Sequence, residues 1–244
     1  MTVLVFLYGV VCYGVFFLTF LYAIGFLGDF GVPRTVDAGG LASPTGLALA
    51  INVGLLALFG VQHSVMARQG FKKAWTKFVP APVERSTYVL FSSLALILLF
   101  WQWRPMPTLV WDVQAPLGRG ILWALFGFGW FLVLLSTFVI NHFELFGLQQ
   151  VWKHLRRLPP APAKFKEPLF YKIVRHPLYV GWISAFWAIP TMTASHLVFA
   201  LVATGYILVA IQFEESDLKR FHPEYAEYSK RVPMLIPGLR RKKV

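Results

Sequence analysis

The sequence predicts an all-α, polytopic transmembrane helical bundle of about six hydrophobic segments, the last two forming a tight hairpin, with both termini cytoplasmic. Three observations carry this expectation. Hydrophobic residues make up 57% of the chain and charged residues only 14%, against about 25% charged in an ordinary soluble domain. Apolar runs of spanning length recur along the 244 residues. Basic residues are also distributed unevenly between the connections. Of the 23 Lys and Arg, five lie in 67–86, seven in 142–176 and eight in 214–244, whereas 28–45 holds only Arg34 and 104–119 only Arg104 and Arg119. That alternation is the positive-inside pattern. It reads the net charge of +12 as topology rather than as an imprint of nucleic acid, and no nucleic-acid partner is expected.

The elements follow in order. Val3–Leu27 is an uncharged run of 25 residues, long enough to cross a core of about 30 Å at about 1.5 Å per residue. It has no basic n-region and exceeds a signal-peptide core, so it is expected to remain in the mature protein. Cys12 within it reads as a small buried hydrophobe, and a single cysteine leaves no Cys-based metal cage. Gly46–Met66 is the second span. Its Asn52 and His63 return to nearly one helix face, which should turn inward from lipid. Thr87–Trp103 is the third span and Gly120–Ile140 the fourth. Gly127-Phe128-Gly129 lies in the middle of the fourth, and without a preceding strand it reads as a helix–helix contact rather than a phosphate loop. A long connection, 145–174, leads to Leu178–Phe213. These 36 residues are interrupted by Pro190 and read as two short halves of a hairpin. The whole is one membrane domain, 1–244, with a four-span part, 1–141, and a part, 142–244, that carries the connection, hairpin and tail.

Charged and titratable residues collect at one predicted depth. His63, Asn141, His142, Glu144, Arg175, His176, Glu214 and Glu215 all fall near the cytoplasmic end of a span. A single charge at a helix end commonly anchors in the interface; eight at one level point to a site. Pro177 suits a first helical turn, which sets Arg175 and His176 at a helix N-terminus, where an anion is favoured. Arg can hold a carboxylate through two bonds. Tyr179 offers an aromatic face, and Gly181 permits close approach of a ligand or a neighbouring helix. Glu214 and Glu215 point about 100° apart. Glu215 has Lys219 at i+4 as a ready partner, which leaves Glu214 to hold an ammonium or a ribose hydroxyl.

In order, Arg175-His176-Pro177-Leu178-Tyr179-Val180-Gly181, Glu214-Glu215, Tyr225, Tyr228, Arg231-Val232-Pro233 and Ile236-Pro237 resemble the isoprenylcysteine carboxyl methyltransferase family and its phospholipid N-methyltransferase relatives. Gln62 to Arg68, Glu84 to Tyr88 and Asn141 to Leu148 resemble one branch, the bacterial methanethiol S-methyltransferases. The resemblance implies an integral membrane enzyme that uses S-adenosylmethionine as methyl donor, a small thiol as acceptor and dimethyl sulfide as product. It further implies that Arg175, His176, Tyr179, Gly181, Glu214 and Glu215 surround the donor. His142 and His63 are then the candidate catalytic bases, with Asn141 and Glu144 as candidate substrate-binding groups and no metal. His142 and Glu144 are two residues apart, so they face opposite ways on a continuous helix; either the helix ends there or only one of them reaches the substrate. The expected setting is a bacterial inner membrane, with lipid around the bundle and the site near the cytoplasmic face. The rival expectations are an isoprenylcysteine or lipid-amine acceptor and a non-catalytic heme-binding or transport accessory protein with His63 and His142 as axial ligands.

Overall fold

A computed structural model describes residues 2–159 and 167–238. In order they form α1 (Thr2–Gly28), α2 (Thr45–Ala67), α3 (Gln69–Trp75), α4 (Ala81–Gln102), β1 (Leu109–Asp112), α5 (Pro116–Ile140), α6 (His142–Leu145), α7 (Leu148–Leu155), α8 (Pro177–Trp187), β2 (Thr191–Thr193), α9 (Ala194–Phe221) and α10 (Glu224–Arg231), with a 3-10 turn at Leu169–Lys172. α1, α2, α4, α5 and α9 are apolar helices of 22 to 28 residues, about 33–42 Å at 1.5 Å per residue and enough to cross a hydrocarbon core. Leu4, Val11, Leu18, Leu117 and Phe131 are exposed along them, apolar surface that lipid would cover. The protein is an all-α, multi-pass membrane bundle.

The predicted hairpin is unequal. α8 has 11 residues, about 16 Å, too short to cross alone. α9 has 28 and continues past Phe213, so Glu214 and Glu215 lie inside a helix rather than beyond its end. The break between the two has a local cause. Pro190 cannot sit in a helix interior and also restricts Ile189, and Thr191 and Thr193 favour extended backbone.

The chain divides into two compact units. Within residues 2–112, 143–159 and 191–202, α1 packs on α4 and α7, and α2 packs on α4. The Tyr8 and Thr87 hydroxyls are 3.0 Å apart. Phe16 stacks on Phe146 at 3.8 Å. Three connections gather at one end of this unit. β1 pairs antiparallel with β2, Leu109 opposite Thr193 and Asp112 opposite Thr191. The Trp103 indole N–H reaches the Val36 carbonyl at 3.0 Å and Ser195 Oγ at 2.9 Å. Thr193 donates to Asp37. The inward face expected of α2 is occupied here by Asn52, which is fully buried; its side chain brackets the Arg104 backbone, donating to the carbonyl at 2.8 Å and accepting from the N–H at 2.9 Å.

In the second unit, α5 and α8 pack antiparallel. A Cβ on Gly129 would stand 2.7 Å from the Gly181 carbonyl, and one on Gly181 would stand 2.8 Å from the Gly129 carbonyl. The two backbones touch because neither carries a side chain. Gly127 has open space around it, so of the two glycines in the predicted contact only Gly129 makes it. The Val113 N–H donates to the Pro190 carbonyl at 2.9 Å, which satisfies part of the non-helical backbone after α8, as burial in an apolar setting demands.

Candidate active site

His176 is the N-cap of α8 and Pro177 its first residue. The Arg175 and His176 backbone N–H groups donate to the carbonyls of Pro233 (2.8 Å) and Met234 (3.2 Å), so the C-terminal tail runs beside this element. The Arg175 guanidinium is engaged within the chain. Nε and Nη2 each lie 2.7 Å from Glu215 Oε1. Nη1 donates to the Ser229 carbonyl at 2.9 Å and to that of Val232 at 2.7 Å. The fork expected to meet a ligand carboxylate instead ties α9 to the end of α10. A guanidinium is well shaped for this, because a planar cation with divergent N–H groups can neutralise a carboxylate and satisfy the last carbonyls of a helix at once.

Glu215 lies on the buried stripe of α9 with Ile207 and Ile211. It also accepts from His176 Nε2 at 3.1 Å. Lys219 Nζ, its expected partner, stands at 4.0 Å and is half exposed, so Arg175 and His176 are the tighter contacts. Glu214, about 100° around the helix, is 45% exposed at its side chain and accepts a hydrogen bond from the Tyr179 hydroxyl at 3.0 Å. Its Oε2 is 3.8 Å from His176 Nδ1. The structure thus brings Arg175, His176, Tyr179, Glu214 and Glu215 together. Gly181, expected among them, is held against Gly129 and Val133, and its missing side chain serves the helix contact.

The tail completes this surface with aromatics. Tyr225 and Tyr228 are buried with Val232 against Leu218, and the Tyr228 hydroxyl donates to the Tyr171 carbonyl at 2.6 Å. Burial raises all three phenols above the ordinary tyrosine value, and the Glu214 charge pushes Tyr171 further in the same direction. They remain neutral hydroxyls.

The two candidate bases have different surroundings. His63 on α2 is caught between two hydroxyls of α4. Ser92 donates its own proton to the Tyr88 carbonyl at 3.0 Å, so at 3.1 Å from His63 Nδ1 it is placed to accept. The Tyr88 hydroxyl, 2.8 Å from Nε2, then supplies a proton to the basic nitrogen. Phe59 stacks on the ring at 5.3 Å. These contacts hold the His63 ring between α2 and α4.

His142 begins α6 just after a break. α5 stops at Ile140, Asn141 is extended, and its N–H still reaches the Thr137 carbonyl at 3.0 Å. The His142 ring folds back flat on Phe138, centroids 4.1 Å apart and 2° from parallel, with Nδ1 2.8 Å from Thr137 Oγ1. It is buried, and that burial lowers its pKa below the ordinary histidine value. The long helix α5 therefore does end here, and His142 and Glu144 both fall on the single turn of α6 that follows. The Glu144 carbonyl accepts from Gln150 Nε2 at 3.1 Å.

Two of the three upstream motifs, Glu84 to Tyr88 and Asn141 to Leu148, prove to be one fitting. Arg85 Nε donates to the Leu145 carbonyl at 2.7 Å, and its guanidinium covers the Tyr88 ring at 4.9 Å. Gly147, at φ +88°, approaches so closely that a Cβ there would meet the Ser86 backbone nitrogen at 2.7 Å. Only glycine suits both demands. Tyr88 and Ser92 were not singled out for the site by sequence, whereas Thr137 falls on one helical stripe with Asn141 and Glu144. Among the described residues, no group of three or more His, Cys, Asp and Glu is arranged to hold a metal ion.

Residues 52–231 match the family described as NnrU protein. The chain belongs to that family. It is 57% identical over 95% of its length, and 95% of the relative's, to a methanethiol S-methyltransferase of Mycobacterium tuberculosis. With methanethiol S-methyltransferase 1 of Bradyrhizobium diazoefficiens it is 58% identical over 96% of this chain and 82% of the relative. A more distant relative is nurim of Sus scrofa, 33% identical over 70% of this chain and 68% of that one. No solved structure matches.

Proposed function

We infer that this family member is a membrane-embedded S-methyltransferase that transfers a methyl group from S-adenosylmethionine to methanethiol, giving dimethyl sulfide. The acceptor rests on relatives of that name at 51–58% identity across most of the chain. The donor site rests on one observation: the exposed Glu214 carboxylate, aimed by the Tyr179 hydroxyl, stands beside a buried base of Arg175, His176 and Glu215. That fits a donor with an ammonium, ribose hydroxyls and an aromatic base. Glu214 would accept from the ammonium or a hydroxyl, and Tyr179 would lie along the ring. Arg175 acts indirectly, by fixing the carboxylate pair and the tail.

The donor supplies an electrophilic methyl group on a sulfonium. What the chain must supply is alignment and a place for the acceptor's proton. A thiol with pKa near 8.5 is only a few per cent ionised at pH 7, so a neutral base at the thiol raises the reactive fraction. His142, kept neutral by burial, is assigned that role, with Asn141 and Glu144 beside it in sequence as acceptor-orienting groups. Holding two reactants in line contributes much of the remaining acceleration.

The site is assigned to the cytoplasmic face of a bacterial inner membrane. The connections gathered at the β1–β2 end hold only Arg34 and Arg104, while the segments leading away from the other ends carry most of the 23 basic residues. Among the described residues five helices are of full length, and we read α8 with the extended residues after it as the sixth traverse.

The test is a headspace assay. Purified protein given methanethiol and S-adenosylmethionine should release dimethyl sulfide and leave isoprenylcysteine and phosphatidylethanolamine unmethylated. Methylation of either of those, with no dimethyl sulfide, would replace the acceptor.

A further inference from the structure

We propose that Thr137 is a positioning residue that sets which nitrogen of His142 is the base. The deciding fact is the number of protons at one oxygen. A threonine hydroxyl has a single proton. In α5 it is directed to the Leu134 carbonyl, 2.6 Å away, and a carbonyl can only accept. The same oxygen lies 2.8 Å from His142 Nδ1. With its proton already committed, Thr137 meets Nδ1 as an acceptor, which requires Nδ1 to carry hydrogen. A neutral imidazole has one N–H, so the basic lone pair falls on Nε2. Stacking on Phe138 at 2° from parallel fixes the ring plane, and the Thr137 contact fixes its rotation within that plane.

The proton chain is short and local: Nδ1–H to Thr137 Oγ1, and Thr137 O–H to the Leu134 carbonyl. It does for His142 what an orienting carboxylate does in a catalytic triad, but with a neutral group. A buried carboxylate partner would raise the basicity of the imidazole. A hydroxyl holds the tautomer without adding charge, consistent with a base whose pKa lies below the ordinary value. The same device recurs at His63, whose Nδ1 meets a serine with its proton committed elsewhere.

This inference rests on the assignment of His142 as acceptor base. In the step it serves, the thiol proton passes to Nε2 and the sulfur electron pair forms the new bond to the methyl carbon. The pair of the broken carbon–sulfur bond stays on the donor sulfur, and the imidazolium later loses its proton to water.

The test uses full-length protein in detergent and the pair Thr137→Val and Thr137→Ser. Valine keeps the shape and removes the acceptor; serine keeps the hydroxyl. The first readout is independent of turnover. In protein labelled with ¹⁵N-histidine, the His142 resonances, assigned by their loss in His142→Gln, should show a protonated Nδ1 and an unprotonated Nε2 at neutral pH. Thr137→Val should mix the tautomers or exchange them, and Thr137→Ser should restore the wild-type pattern. The second readout is kinetic: about a tenfold fall in kcat for Thr137→Val with KM for both substrates unchanged, rescued by serine. A wild-type His142 protonated at Nε2, or serine no better than valine in both readouts, overturns the proposal. Full turnover in His142→Ala would remove the base assignment itself, while the tautomer measurement would still decide what Thr137 does.

Discussion

Replacing Arg175 by Ala removes a cation 12% exposed at its side chain and paired with a Glu215 that is equally covered. Two contacts to that carboxylate go, together with the bonds to the Ser229 and Val232 carbonyls. Breaking one partner out of a buried pair costs about 3–5 kcal/mol. The lower end applies here, because His176 stays within 3.1 Å of Glu215 and Lys219 can approach from the surface. The Pro233 and Met234 carbonyls also keep their backbone donors. About 3 kcal/mol, at roughly 1.4 kcal/mol per decade, corresponds to an approximately hundredfold rise in the population with the tail released. Hydrogen exchange of peptides covering α10 and residues 232–236 measures this directly. Protection there should fall about a hundredfold while protection in α1 and α4 is unchanged, and Arg175→Lys, which keeps charge but not the fork, should fall between. Tail protection within threefold of wild type would refute the latch, and a guanidinium available to a ligand would take its place.

Packing, donor contact and pH supply the remaining expectations. Gly181→Ala sets a Cβ 2.8 Å from the Gly129 carbonyl and 2.9 Å from the Val133 nitrogen, an overpacking worth about 1–3 kcal/mol of destabilisation. Gly127→Ala meets open space and should stabilise α5 by about 0.5–1 kcal/mol; thermal unfolding in detergent should give the two opposite signs. Glu214→Gln should weaken donor binding about tenfold by calorimetry with no change in melting temperature, since the side chain is substantially exposed. Burial disfavours the His142 imidazolium and lowers its pKa, so turnover should be level above about pH 6.5 and decline as pH falls through the lowered value. An acid limb centred above pH 6.5 would contradict the neutral, buried base.

Much of the architecture was legible because it depends on local composition. Uncharged runs of spanning length and the alternation of basic loops follow from residues taken a segment at a time. What could not be read depends on partners far apart in sequence. Residues 178–213 look like two comparable halves; that α8 is brief and its exit extended becomes evident only once β2 meets β1, some 80 residues earlier. Lys219 is the obvious neighbour of Glu215 along a helix, yet Arg175, 40 residues away, makes the closer contact. Gly181 was open to two uses, ligand or helix, and the decision lay with Gly129 on another segment. The branch-level motifs were more informative than their separate residues. Glu84 to Tyr88 and Asn141 to Leu148 occur together because Arg85 and Ser86 seat Leu145 and Gly147, a coupling that neither stretch displays alone.

The most direct measurement supplies purified protein in liposomes with methanethiol and S-adenosylmethionine carrying a deuterated methyl group, and reads the headspace by mass spectrometry. Dimethyl sulfide bearing one CD3 group, formed in proportion to protein and lost in Glu214→Ala, is the expected result. Dimethyl sulfide without the label, or none at all from protein that binds the donor, would contradict transfer from this donor to this thiol.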